Sequence, residues 1–135
     1  MIALKPRNLS AQAAATLENA AGGKDLIFVV PSTMDRDAKY QECYLASTDS
    51  QLIVCEGEKI EFYPWSDFDT LKIRRMYGNA FLCLTKEGAE DNAIFRFGND
   101  ALSLCDAVSE YINRIKDGDN AEDRFEILHG VFNKQ

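Results

Sequence analysis

The sequence predicts an α+β domain in which seven short antiparallel strands form two packed sheets, a partly open barrel capped by one C-terminal amphipathic helix. Three observations carry this expectation. Between residues 25 and 97, short apolar or alternating runs recur at near-regular spacing with turn residues between them. Two of those turns hold glycine where hairpins need it, at Glu56-Gly57-Glu58 and Gly78-Asn79. Along 99–116, Leu102, Cys105, Val108, Ile112 and Ile115 recur at steps of three or four, the spacing of one helical face.

Taken in order, residues 1–8 read as a loose lead-in. Ser10 is placed to cap an alanine-rich helix over Ala11–Ala21, which Gly22-Gly23 stops and hinges to the body. A helix this short is marginal alone, so it either docks through Leu9, Leu17 and the alanines or frays. Asp25–Pro31 is a continuous apolar run and the first expected strand; Ser32–Lys39 reads as a polar loop. Tyr40–Ser47, Leu52–Cys55 and Lys59–Tyr63 follow, the last ending at Pro64. After a bend at Trp65–Asp67 come Phe68–Met76, Ala80–Thr85 and Asn92–Phe97. Asn99 or Asp100 is the expected cap of the long helix and Gly118 lies beyond its end. The chain thus divides into an extension (1–24), a main domain (25–117) and an acidic tail (118–135). The tail reads as a short helix or as the start of a further segment.

At 135 residues the chain is one domain long enough to bury a core. A net charge of −7 argues against nucleic acid, which needs several cations on one face, and against simple adsorption to an anionic membrane. Cys43, Cys55, Cys83 and Cys105 stand far apart, each within an apolar run, and read as buried thiols in a reducing compartment rather than as disulfides or zinc ligands. No run reaches the roughly 18 apolar residues of a membrane span. No signal-like apolar stretch follows Lys5 and Arg7, so a cytoplasmic location is expected.

Catalytic patterns are scarce. His129 is the single histidine and lies in the tail. The acidic groups Glu56, Glu58, Glu61 and Glu87, Glu90, Asp91 fall at turns, where solvated carboxylates are expected. No enzyme activity, metal or cofactor is therefore expected. The positive features are Lys72, Arg74 and Arg75, with Lys72 and Arg74 directed outward by the alternation around Leu71 and Ile73. At about 1 kcal/mol per basic residue near an anionic surface, these three make direct lipid binding weak. Trp65, after a proline, and Tyr77, beside a turn, complete the candidate contacts. For Trp65 the alternative is packing at the barrel rim.

Several stretches also resemble a known family. Thr48-Asp49-Ser50-Gln51-Leu52-Ile53-Val54 with Gly57 resembles a hairpin common in bacterial pleckstrin-homology-like (PH-like) domains, although two basic residues are usual where Ser50-Gln51 stands. Tyr63-Pro64-Trp65-Ser66-Asp67-Phe68-Asp69-Thr70-Leu71-Lys72-Ile73 is similar to the next strand, bend and strand. Gly78-Asn79, followed here by Ala80 where glycine often stands, and Arg96-Phe97 extend the likeness. Residues 25–116 together resemble the N-terminal PH-like segment of some bacterial ABC-type exporters. The resemblance implies a PH-like fold and a non-catalytic interaction or regulatory module. It also implies a protein partner, ABC transporter domains in cis or in trans, at the cytoplasmic face of the membrane. A lipid-binding relative would gather Lys and Arg in its first hairpin; here that loop is Asp35-Arg36-Asp37-Ala38-Lys39. Two further readings stay open: a self-assembling homo-oligomer, and a lipid or small-ligand binder at the barrel mouth near Trp65.

Overall fold

A computed structural model describes residues 2–6, 8–98 and 102–117. Among these residues are eight strands and two α-helices: β1 (Ile2–Leu4), α1 (Ala11–Ala20), β2 (Leu26–Met34), β3 (Tyr40–Ser47), β4 (Gln51–Glu56), β5 (Lys59–Pro64), β6 (Thr70–Met76), β7 (Asn79–Thr85), β8 (Asn92–Phe97) and α2 (Leu102–Lys116). The strands form a five-stranded sheet, β1-β2-β3-β4-β5, and a three-stranded sheet, β6-β7-β8, which do not close into one barrel. A 3₁₀ turn at Trp65–Asp67 carries the chain from the first sheet to the second.

The strand count differs from the expected seven. Ile2–Leu4 is not a lead-in but a strand paired in parallel with β2, Ile2 opposite Leu26 and Leu4 opposite Phe28. Three residues ahead of Pro6 are too few to show any alternation. Nor does the first expected strand stop at Pro31: β2 runs on to Met34, with a register shift between Ser32 and Met34. The Gly57 N–H bonds the Glu42 carbonyl, so Tyr44 bonds towards β4 and Pro31 opposite it faces away from β3, past the end of β1, where a missing N–H costs nothing. The polar loop therefore shrinks to 35–39, where Asp35 accepts from the N–H groups of Asp37 (2.9 Å) and Lys39 (3.0 Å) and from the Gln41 amide.

Two cores follow from the alternation of the strands. Between the sheets, Phe28, Val30, Leu45, Leu52, Val54, Leu82, Ile94 and Phe95 pack with Val108 and Ile112 of α2. Phe28 meets Tyr111 edge to face at 6.1 Å. Cys105, Val108 and Ile112 are fully buried as the helical spacing implies, while Leu102 and Ile115 sit half-buried at the two ends. The buried face is wider than those five, taking in Leu104, Ala107, Ser109 and Tyr111. The expected cap at Asn99 or Asp100, the stop at Gly118 and the whole tail with His129 lie outside the described residues.

The second core covers the outer face of the five-stranded sheet. Ser10 caps α1 by accepting from the Ala13 N–H at 3.0 Å, and the helix docks rather than frays. Leu17 is 1% exposed, packed with Ala21, Val29, Ala46, Ile53 and Cys55. Burying one leucine this completely contributes about 1.5–3 kcal/mol, which exceeds what ten residues of helix propensity supply.

Candidate interaction surfaces

Side chains of α2 cover the start of the β6 edge. Asn113 accepts from the Leu71 N–H (2.8 Å) and donates to the Leu71 carbonyl (2.9 Å), so one amide side chain stands where a neighbouring strand would. Ser109 donates to the same carbonyl at 3.4 Å. One turn on, Lys116 donates to the carbonyls of Trp65 and Phe68 and lies 4.5 Å from the Phe68 ring centre. Positions 109, 113 and 116 share one helical stripe, and together they cap β6 at Leu71 and the bend before it. The Lys116 charge thus serves backbone carbonyls of the bend.

The first hairpin loop is locked as well. Arg36 donates from Nε to Glu56 at 2.9 Å, from Nη2 to both Glu56 and Glu61, and from Nη1 to the Ala93 carbonyl at 3.4 Å; its own N–H meets Glu56 at 3.0 Å. Burial opposes the guanidinium's charge, but Glu56, Tyr63 and Glu61 outweigh it and raise its pKa. Glu56 is thus buried and paired with a cation, not solvated at a turn as its position in the sequence suggested. The one arginine of this loop is turned inward.

Strand β5 is different. The Trp65 N–H bonds the Ser50 carbonyl, and the register pairs Leu52 with Tyr63 and Val54 with Glu61. Alternation then turns the N–H and C=O of Ile60 and Phe62 away from β4, towards the open side of the sheet. Both side chains lie on the outer face, opposite Cys55 and Ile53, and α1 leaves them uncovered at 38% and 46% exposure. Between them and α1 run two adjoining grooves of about 550 and 530 Å³. Ala15, Thr16, Asn19 and Ala20 form the uncharged wall of the second.

The residues singled out from the sequence scatter over three places. Trp65 is a rim residue: its indole N–H donates to the Asp49 carbonyl at 2.7 Å and its ring meets Phe68 edge to face at 6.1 Å. Arg75 turns to α2, bonding Asp106 at 2.9 Å and the Cys105 sulfur at 3.2 Å. Lys72 and Arg74 do share the outer face of the three-stranded sheet, where Lys72 pairs with Asp91. Tyr77 stands at the β6–β7 tip, 98% exposed at φ 52°. Two residues of that face were not among the contacts expected from the sequence: Phe81, and Arg96, which entered only through the family likeness. Register places Arg74, Phe81 and Arg96 in one row across β6, β7 and β8, with the two guanidinium carbons 6.0 and 5.6 Å from the Phe81 ring centre.

The four thiols are buried, and burial pushes each up in pKa, Cys43 to about 12. Such thiols hold their protons at neutral pH and make poor nucleophiles. No group of three His, Cys, Asp or Glu among the described residues is arranged to hold a metal ion. No helix of the described residues is long and apolar enough to cross a membrane. Compared with family models, curated proteins and solved structures, the chain matches none.

Proposed function

We propose that the chain is a non-catalytic protein-interaction module with a PH-like arrangement, recruiting its partner by strand addition at β5. Four strands, β2–β5, then three, β6–β8, then α2 follow the layout that the sequence resemblance implies. The observation that carries the reading is the β5 edge. Its outward amides and carbonyls at Ile60 and Phe62 offer a template for an extended segment, and their side chains beside the α1 groove offer it apolar contacts. A partner that is part of an ABC exporter, in cis or in trans, follows from the resemblance. In that setting the module would act by docking and would add no chemistry.

The test places a photo-reactive phenylalanine analogue at Phe62, and separately at Glu110 on the exposed face of α2, in the native cells. The proposal expects a discrete protein adduct from position 62 and none from position 110. An adduct of twice the chain's mass would favour the homo-oligomer instead. Lipid adducts only, or the same products from both positions, overturn strand addition.

A further inference from the structure

The outer face of the three-stranded sheet carries a second surface, independent of β5. Of the five arginines among the described residues, Arg36, Arg75 and Arg114 each meet a carboxylate. Arg74 and Arg96 meet none among the described residues. Arg74 lies over Phe81, and Arg96 lies over the same ring while donating to the neutral Asn79 side chain. In a chain with seven excess negative charges, two neighbouring guanidinium groups without a carboxylate among the described residues stand out.

From this geometry we infer that the Arg74–Phe81–Arg96 row is a docking site for an acidic peptide segment. The Phe81 ring steadies both guanidinium groups, and apart from the Arg96 Nη2 bond to Asn79 their N–H groups are left for bonds to carboxylates. The two forks lie within about 12 Å of each other, in reach of two carboxylates on one extended segment, whose same-face side chains are about 7 Å apart. Met76 follows Arg74 by two residues on the same face, 46% exposed, and Tyr77 stands beyond it. An apolar residue flanking the acidic pair would settle there. The site fits a short acidic peptide better than nucleic acid or a membrane. Both of those are extended polyanions that need many cations on one face, whereas this row offers two.

The test titrates the full chain with a fluorescein-labelled peptide of alternating aspartate and serine ending in phenylalanine, at low and physiological salt. Binding that weakens about tenfold in Arg74→Gln and again in Arg96→Gln is expected, with Arg114→Gln unchanged, since one bidentate charged contact is worth about that factor. Circular dichroism of each variant checks that the fold is kept. Absence of binding, or equal binding by the Arg74→Gln and Arg96→Gln double variant, overturns the site. Tighter binding of phosphatidylserine vesicles or of a single-stranded oligonucleotide than of the peptide also overturns it, in favour of a polyanion. None of these outcomes bears on β5.

Discussion

Asn113→Ala tests whether α2 substitutes for a missing strand. Leu71 is 3% exposed, and its N–H and C=O both pair with the Asn113 amide. Two net hydrogen bonds are worth about 1–3 kcal/mol, and the stranded N–H adds about 1–3 more, because only the carbonyl keeps a second partner in Ser109. Allowing for relaxation, a loss of about 2–4 kcal/mol is expected from a domain whose total stability is about 5–15. Urea unfolding followed by the fluorescence of Trp65, the single tryptophan, reads this directly. Asn113→Asp sharpens the test, since an ionised carboxylate accepts from the Leu71 N–H but faces the Leu71 carbonyl without a proton to donate. Its protonated form restores both bonds, so its folded pKa lies above the ordinary value near 4. The stability it lends is then present below that value and lost as pH rises through the folded pKa, the reverse of an ion-paired carboxylate. If Asn113→Ala costs less than about 0.5 kcal/mol, or the aspartate variant shows no gain over alanine on acidification, the edge is not held this way.

Three further outcomes are expected. Ile112→Asp sets an unpaired carboxylate among Phe28, Val108 and their neighbours and should leave the chain unfolded by circular dichroism at 25 °C; a parental melting curve would refute α2 as the core helix. Tyr77→Asn relieves a bulky residue at φ 52° in the two-residue β6–β7 turn and should stabilise by about 0.5–1 kcal/mol in urea, whereas a loss would mean that the Tyr77 ring packs on the body. The Lys39 N–H, with Gln41 and Asp37, holds Asp35 below its usual pKa of 3.8 against the pull of burial, so its contribution is present above that value and is lost as pH falls through the lowered folded pKa. Acid unfolding of Asp35→Asn should accordingly begin from lower stability and show a shallower dependence on pH below 3.8 than the parent; parallel curves would exclude Asp35 as a source of acid sensitivity.

What could be read beforehand was what repeats. Short runs set between turn residues placed β3 and β8 with the bounds observed, and the steps of three and four from Leu102 to Ile115 marked the face of α2 that fills the space between the sheets. Contacts between side chains and a distant backbone leave no such trace. Asn113, Lys116 and Arg36 are polar residues in polar surroundings of sequence, yet each faces inward because a strand edge, a bend or a buried carboxylate far along the chain requires a partner there. The candidate surfaces divide in the same way. Lys72 and Arg74 were visible as a basic run, but Arg75, next in line, serves Asp106, and the partner that Arg74 needs is Arg96, two strands away across Phe81. Register decides that row, and register depends on turn lengths and on a shift between Leu82 and Cys83 that no local pattern announces. Ile60 and Phe62 show the converse. They share one face of β5, and nothing local says whether that face is covered; they lie open because α1 covers only the middle of a sheet that extends one strand beyond it. Lys59, Glu61 and Pro64 are residues of a blunted edge strand, so what sets β5 apart is the pair of exposed apolar side chains, Ile60 and Phe62, beside its outward amides.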